Sequence, residues 1–229
     1  MIAIISDIHG NLEALEAVLA DIAQCGAEQT YCLGDIVGYG PNPCECLDIV
    51  ATRCSKSILG DHEAALWSEY PAARSEALAE VAERTRGQLE HGPGGADARW
   101  EFLWSLRPSF KERGMLFVHG SPREPTHEYV FPEDCYNTRK LDAIFDNIEW
   151  LCFSGHTHLP GVFPYLDGFL RPEELAFEYE LGELKSIVNV GSVGQPRDGD
   201  LRACYVLLDD RRVWFRRVEY DWKKTQRKL

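Results

Sequence analysis

Residues 2–11 read Ile2-Ala3-Ile4-Ile5-Ser6-Asp7-Ile8-His9-Gly10-Asn11. A run of apolar, mostly β-branched side chains, closed by a carboxylate, an imidazole and a glycine, predicts a buried strand over 2–6. Asn11 then predicts a helix cap, because Leu12, Leu15, Val18, Leu19 and Ile22 recur at helical spacing. Gly26 ends that helix, and Thr30–Leu33 predicts the next strand. Pro43 suits the first turn of a helix reaching about Ala51, and Lys56–Leu59 predicts a third strand. This strand–helix–strand–helix–strand order argues a parallel sheet with right-handed crossovers.

The first signature then repeats. Asp35 closes Tyr31-Cys32-Leu33-Gly34, and Asp61 and His62 follow Ser57-Ile58-Leu59-Gly60. His119 ends Met115-Leu116-Phe117-Val118, while His156 and His158 follow Leu151-Cys152-Phe153-Ser154-Gly155. Ligands of open α/β sheets bind outside the carboxyl ends of the strands. Taken singly, an Asp-x-His is an ordinary turn and a His-x-His an ordinary loop pair. Three aspartates and five of the seven histidines at strand ends are a metal-site pattern. His91 and His127 lack that context and read as ordinary residues.

Imidazole and carboxylate donors suit borderline cations such as Mn, Fe, Zn or Ni. The set exceeds what one ion needs, and a carboxylate can bridge two ions about 3.5–4 Å apart. Two such ions polarise phosphoryl oxygens, deprotonate a bridging water and hold both ends of an in-line displacement. Phosphoester hydrolysis is the natural reaction.

Residues 64–111 change character. They are alanine-rich and charged, and predict helices near 73–90 and 97–107, split by His91-Gly92-Pro93-Gly94-Gly95. We read them as a helical insertion over the strand-end rim, within one domain spanning 1–229. Trp67 and Trp104 in this insertion read as core, and Tyr39 as a packing or base-stacking ring. A strand over 115–118, a helix over 137–147 and a strand over 150–154 follow. Mostly antiparallel strands are expected near 161–166, 175–180, 186–190, 202–208 and 212–219. Lys223–Lys228 reads as a frayed tail or a last solvated helix turn.

Composition narrows the partners. A net charge of −13 disfavours a nucleic-acid partner, which calls for a basic face. The eight cysteines form no Cys-x-x-Cys pair, so buried reduced thiols in a cytosolic protein are expected rather than disulfides or a zinc ribbon. Cys44-Glu45-Cys46 as a soft-metal site is the lesser reading. Met1 leads directly into a strand with no basic start or cleavage site, and no apolar run approaches the ~18 residues of a membrane span. A cytoplasmic protein with no membrane partner is expected.

The blocks Asp7-x-His9, Gly34-Asp35, Gly60-Asp61-His62-Glu63, His119-Gly120 and Gly155-His156-Thr157-His158 together resemble the calcineurin-like metallophosphoesterases. Residues 189–199 and the loop Gly38–Pro43 look like the small bacterial members, often labelled diadenosine-tetraphosphatase-like or protein-phosphatase-like. The resemblance implies an α/β fold, a four-layer α/β/β/α sandwich of two mixed sheets with a binuclear site at one edge. It also implies that Asp7, His9, Asp35 and His158 hold one ion and that Asp35, Asp61, His119 and His156 hold the other. His62 would stand outside the ligand set and protonate the leaving oxygen.

Two departures stand out. Asp61 replaces the Asn usual in the resembling block, which implies tighter metal binding but a less electrophilic ion pair. Downstream of Gly34-Asp35, the Asp and Arg of the eukaryote-type protein phosphatases are missing. Arg197 and Arg123, each following a proline in a loop near a motif, are the candidate phosphate contacts. The expected substrate is a small phosphodiester or nucleotide, including dinucleoside polyphosphates. Phosphomonoester or phosphoprotein hydrolysis is the alternative, and a non-catalytic metal-binding scaffold of the same fold a third reading.

Overall fold

The computed structural model describes residues 1–67 and 76–229. Eleven strands form two sheets among these residues. The first contains β1 (Ile2–Ile5), β2 (Gln29–Cys32), β3 (Lys56–Ser57), β8 (Glu178–Glu180), β10 (Ala203–Leu208) and β11 (Arg212–Val218), in the order β3-β2-β1-β10-β11-β8. The second contains β4 (Ser109–Glu112), β5 (Met115–Val118), β6 (Leu151–Ser154), β7 (Gly161–Pro164) and β9 (Ser186–Asn189), in the order β4-β5-β6-β9-β7. β1, β2 and β3 pair in parallel, as do β5, β6 and β9. Antiparallel partners join at the other strands of both sheets, so each sheet is mixed.

Strand alternation explains the layers. Ile2 and Ile4 of β1 face the second sheet, where they meet Phe117 and Phe153, while Ala3 and Ile5 face the opposite way. That other face packs on α1 (Leu12–Cys25) and α2 (Pro43–Arg53) through Leu15, Val18, Leu47 and Val50. On the far side, Leu116 and Cys152 of the second sheet pack against Ile144 and Phe145 of α6 (Thr138–Phe145). The architecture is therefore the expected α/β/β/α sandwich. Both faces of each central strand are buried, which is why these runs are continuously apolar rather than alternating.

Local signals act as read. The Asn11 side chain accepts from Ala14 N at 3.2 Å to cap α1, and Gly26 closes it at φ 70°. Asn137 caps α6 by accepting from Lys140 N at 3.1 Å. After the one-turn α3 (Asp61–Ala64), α4 (Glu76–His91) and α5 (Ala96–Ser105) are split at the glycine-rich stretch and pack on α2. Residues 73–75 of the expected first insertion helix lie outside the described residues.

Several expectations are corrected. The second insertion helix, expected over 97–107, ends at Ser105, and the insertion's last residues are not helical: Ser109–Glu112 is the edge strand β4, turned into β5 by Arg113 (φ 51°) and Gly114 (φ 76°). Its stability comes from Phe110 stacking on Phe117 at 4.5 Å, a contact that exists only once β5 is in place. The third strand is confined to Lys56–Ser57, and Ile58 pairs instead with Arg107. Trp67 and Trp104 are not core; they are 43% and 66% exposed.

Of the two expectations for Lys223–Lys228, the helix turn is the one observed, and it is anchored as well as solvated. α7 (Trp222–Gln226) docks on α1: Thr225 is buried and donates to Glu13 and Asn11, each at 3.0 Å. Lys228 reaches Glu13 at 2.6 Å. Among the described residues, no helix is long and apolar enough to cross a membrane.

Candidate metal centre

The two sheets bring their parallel strand ends to a common edge. The first sheet supplies Asp7 and His9 after β1, Asp35 after β2, and Asp61 and His62 after β3. The second supplies His119 after β5, and His156 and His158 after β6. A cross-sheet bond locks the edge, His156 N donating to Asp7 Oδ2 at 3.0 Å, while within the second sheet Gly155 N donates to the His119 carbonyl at 2.9 Å.

The backbone here is held away from its relaxed form. Asp7, His9, Asp35, His156 and His158 all have φ between 48° and 66°. Non-glycine residues in this left-handed region carry a cost of about 1–3 kcal/mol each, and such strain gathers at functional sites. Gly34, at φ 91°, lets two loops meet, because a Cβ there would collide with the Gly60 backbone. Gly38, at φ 99°, likewise leaves room for the His62 ring.

Seven side chains converge in two groups whose candidate ligand atoms lie within 4.8 Å of one another, Asp7, His9 and His158, and Asp35, Asp61, His119 and His156; a third, overlapping group brings His62 to His9 and Asp35. All are buried. One nitrogen of each imidazole faces a backbone carbonyl. His9 Nδ1 meets Val37 O at 3.1 Å, His119 Nδ1 meets Leu33 O at 2.9 Å and His158 Nδ1 meets Gln195 O at 2.5 Å. His156 Nε2 meets His127 O at 3.3 Å. Donation to those carbonyls fixes the tautomers and turns a lone pair of each ring inward.

Inside the cluster, acceptors then face acceptors. His9 Nε2 and His158 Nε2 stand 3.1 Å apart, and His119 Nε2 and His156 Nδ1 stand 3.0 Å apart. Asp7 Oδ1 lies 3.2 Å from His158 Nε2, and Asp61 Oδ1 lies 3.2 Å from His156 Nδ1. Both oxygens are buried without a hydrogen-bond donor. Burying such groups unpaired is costly, and a cation resolves both the repulsion and the lost solvation. The donor set fits divalent metal ions.

Protons compete for the same inward lone pairs: burial works against a charged His119, but Asp35 and Asp61 outweigh it and push that imidazole well up. Burial likewise opposes ionisation of Asp7 and Asp61, yet the neighbouring imidazoles, in their protonated forms, outweigh it and hold both carboxyls below their ordinary range. Asp35, buried and beside the negative Asp61, is pushed well up. Burial pushes His62 down to about 4, with nearby Asp61 working the other way. The His62 ring sits 4.8 Å from His9 and 4.6 Å from Tyr39.

A cleft of about 120 Å3 above the cluster is lined by Tyr39, His62, Leu78, Tyr129 and Arg197 along with cluster residues. Arg197 therefore reaches the site. Arg123 does not line this cleft: its guanidinium is paired with Glu128. Two groups at the site had no assigned role in the sequence. Glu63 is fully buried and accepts from Asp35 N, Ile36 N, Val37 N and Gly60 N at 2.7–3.0 Å, which fixes the Asp35 loop. Its place three residues after Gly60 was the available signal. Tyr129 lies flat on His156, with ring centres 3.7 Å apart; nothing in its local sequence marks it.

Residues 1–212 match the calcineurin-like phosphoesterase superfamily domain. The chain is 36% identical to the uncharacterized protein MJ0912 of Methanocaldococcus jannaschii, an alignment covering 100% of this chain and 91% of that one. It is 27% identical to phosphodiesterase YfcE of Escherichia coli, over 90% of this chain and 85% of that protein. A metallophosphoesterase from Sphaerobacter thermophilus superposes with a TM-score of 0.78 at 35% identity, covering 99% of this chain and 92% of that one. Family match and near end-to-end relatives agree with the buried acceptor cluster: the chain belongs to the calcineurin-like phosphoesterase superfamily and is a phosphoester hydrolase.

Proposed function

We propose that this enzyme hydrolyses small phosphodiesters, nucleotides among them, with two divalent ions. The observation that carries the reading is the double set of inward lone pairs joined through one oxygen. Asp35 Oδ2 lies 3.6 Å from His9 Nε2 and 3.4 Å from His119 Nε2, so it faces both groups. Asp7, His9, Asp35 and His158 would hold one ion, and Asp35, Asp61, His119 and His156 the other. Bound there, the ions would neutralise phosphoryl charge and activate water for in-line attack; Mn, Fe, Zn and Ni all suit the donors.

The remaining groups act on the substrate. Arg197 is placed to grip phosphoryl oxygens through its planar fork. His62 is neutral before substrate arrives, and the incoming phosphate charge favours its protonated form. From its seat beside His9 it would then deliver a proton to the leaving oxygen. Tyr39 packs against both rings, 4.8 Å from His9 and 4.6 Å from His62. The helices of residues 64–111 border the cleft through Leu78, which fits an insertion shaping the entrance. All eight cysteines are free thiols, in keeping with a reducing compartment such as the cytoplasm.

The deciding experiment couples metal analysis to a Mn-supplemented assay of p-nitrophenyl phosphate, bis-p-nitrophenyl phosphate and diadenosine tetraphosphate, with His62→Ala as control. Two ions per chain and preference for the diester or dinucleotide are expected, with His62→Ala losing about 10²–10⁴-fold. Monoester preference would transfer the assignment to a phosphomonoesterase or protein phosphatase. Silence on all three would leave a metal-binding scaffold.

A further inference from the structure

Beside the metal cluster opens a second, larger cavity of about 890 Å3, and Arg197 lines both spaces. Its size is that of a pocket for a drug-sized or nucleoside-sized group. One wall is the turn Pro132–Tyr136, which directly follows an aromatic ladder. Tyr129 stacks on His156, and Phe131 stacks on Tyr129 with ring centres 5.1 Å apart and planes 7° from parallel. The rings thus step outward from a metal-cluster imidazole to Phe131, which leads into the turn whose Pro132, Glu133, Cys135 and Tyr136 line the cavity. Phe131 is 40% exposed and Tyr136 is 89% exposed, so ring faces stand open to a ligand.

The ladder's posture is enforced. Arg123 and Ser121 both bond Glu128, and the neighbouring His127 carbonyl takes the contact from His156 Nε2. Arg123 is therefore a positioning residue for the Tyr129 loop.

Charge in the cavity is the second observation. Arg217 and Arg202 engage Asp198 and Asp200. Arg217 also reaches Glu173 at 3.9 Å, which leaves Glu133 and Glu174 against Arg171 and Arg197 in the lining. No positive surplus exists to receive phosphates beyond the one at the metal cluster.

Building on the phosphodiesterase reading, we infer that the preferred substrate is a diester with a single phosphate and a flat ring-bearing group, a nucleoside or an aryl alcohol. That ring lies against Tyr136 and Phe131, at the outer end of the ladder. Polyphosphate-linked dinucleotides are selected against.

The test compares three compounds by 31P NMR with the Mn-loaded enzyme: thymidylyl-3′,5′-thymidine, bis-glyceryl phosphate and diadenosine tetraphosphate. The expected kcat/KM for the ring-bearing monophosphate diester is at least about tenfold above both others, consistent with the strength of base stacking. Phe131→Ala and Tyr136→Ala should each shrink the ring-to-glyceryl ratio by about three- to tenfold, mainly through KM. Equal rates with and without rings, an unmoved ratio in both variants, or a lead for the tetraphosphate would overturn the inference. If no diester is turned over, bis-p-nitrophenyl phosphate included, the proposed function itself fails. The ring site is then judged by saturation-transfer NMR: thymidine protons should saturate, and lose that signal in Phe131→Ala, whereas glycerol should not. Equal response to both would overturn it.

Discussion

The floor of the site and its wall are built on opposite plans. On the floor, seven carboxylates and imidazoles are buried, five of their backbones are left-handed, and each imidazole is tied to a carbonyl. The wall includes the rings of Tyr129, Phe131 and Tyr136, at 37%, 40% and 89% exposure, the first two stacked on each other. A floor that must present unpaired acceptors to a cation has to be rigid, since any relaxation would let those groups find other partners. A wall that meets variable organic groups needs surface and little strain. The contrast separates holding the reaction's charge from choosing the substrate.

The most severe break targets the floor's shared oxygen. Asp35→Asn should lower kcat/KM by about 10³-fold or more, because several kcal/mol of metal-dependent charge stabilisation depend on it. It should also remove about one bound metal per chain by plasma emission analysis. Full metal content with unchanged turnover would end the idea that Asp35 joins two sites.

Next is the support beneath that oxygen. Glu63→Gln places an amide donor against N–H groups that now meet carboxylate oxygens. Burying mismatched donors costs about 1–3 kcal/mol each, so a melting temperature about 5–10 °C lower is expected. Metal affinity or activity should fall about 10–100-fold, as for other supporting residues. A calorimetric melt unchanged from wild type would show the floor to be less rigid than argued.

A milder change asks whether the floor's extra charge matters. Asp61→Asn preserves shape and removes one negative charge beside His119 and His156. Weaker Mn binding by about tenfold and a kcat raised about two- to tenfold are expected, from one charge at this distance in a partly screened site. An identical rate at saturating Mn would sink the charge argument.

The smallest effect lies away from both regions. Burial works against the Glu13 charge, but hydrogen bonds from Lys228, Lys224 and Thr225 win and hold its carboxyl at about 2, against 4.5 ordinarily. A depressed carboxyl contributes stability fully above pH 4.5 and loses it as pH falls toward 2. With solvent screening at the half-exposed Lys224, about 1–2 kcal/mol is expected near neutrality. Glu13→Gln should melt lower than wild type at pH 7, with the gap narrowing below pH 4.5 and closing only toward pH 2. Parallel melting curves across that range would count against it.

Legibility followed how local each signal was. The strand-end residues could be read because a ligand-type side chain after an apolar run needs only its neighbours to reveal it. β4 could not, since Ser109-Phe110-Lys111-Glu112 is half polar and gains its order from Phe117 across the hairpin. Trp104 was misplaced for a related reason: α5 turns another face, through Arg99 and Leu103, toward the protein. Arg123 looked like a phosphate contact until Glu128, five residues on, was seen to occupy its fork.

By itself the sequence determined the fold class, the capped helices and which side chains stand at strand ends, because periodicity, caps and apolar runs are properties of short stretches. Tertiary structure alone decided that two sheets share an edge there, and that four imidazoles turn their lone pairs toward one another. It also decided which aromatic rings stack beside them. Those relations depend on residues up to 149 positions apart, as between His9 and His158, and only packing in three dimensions sets such distances.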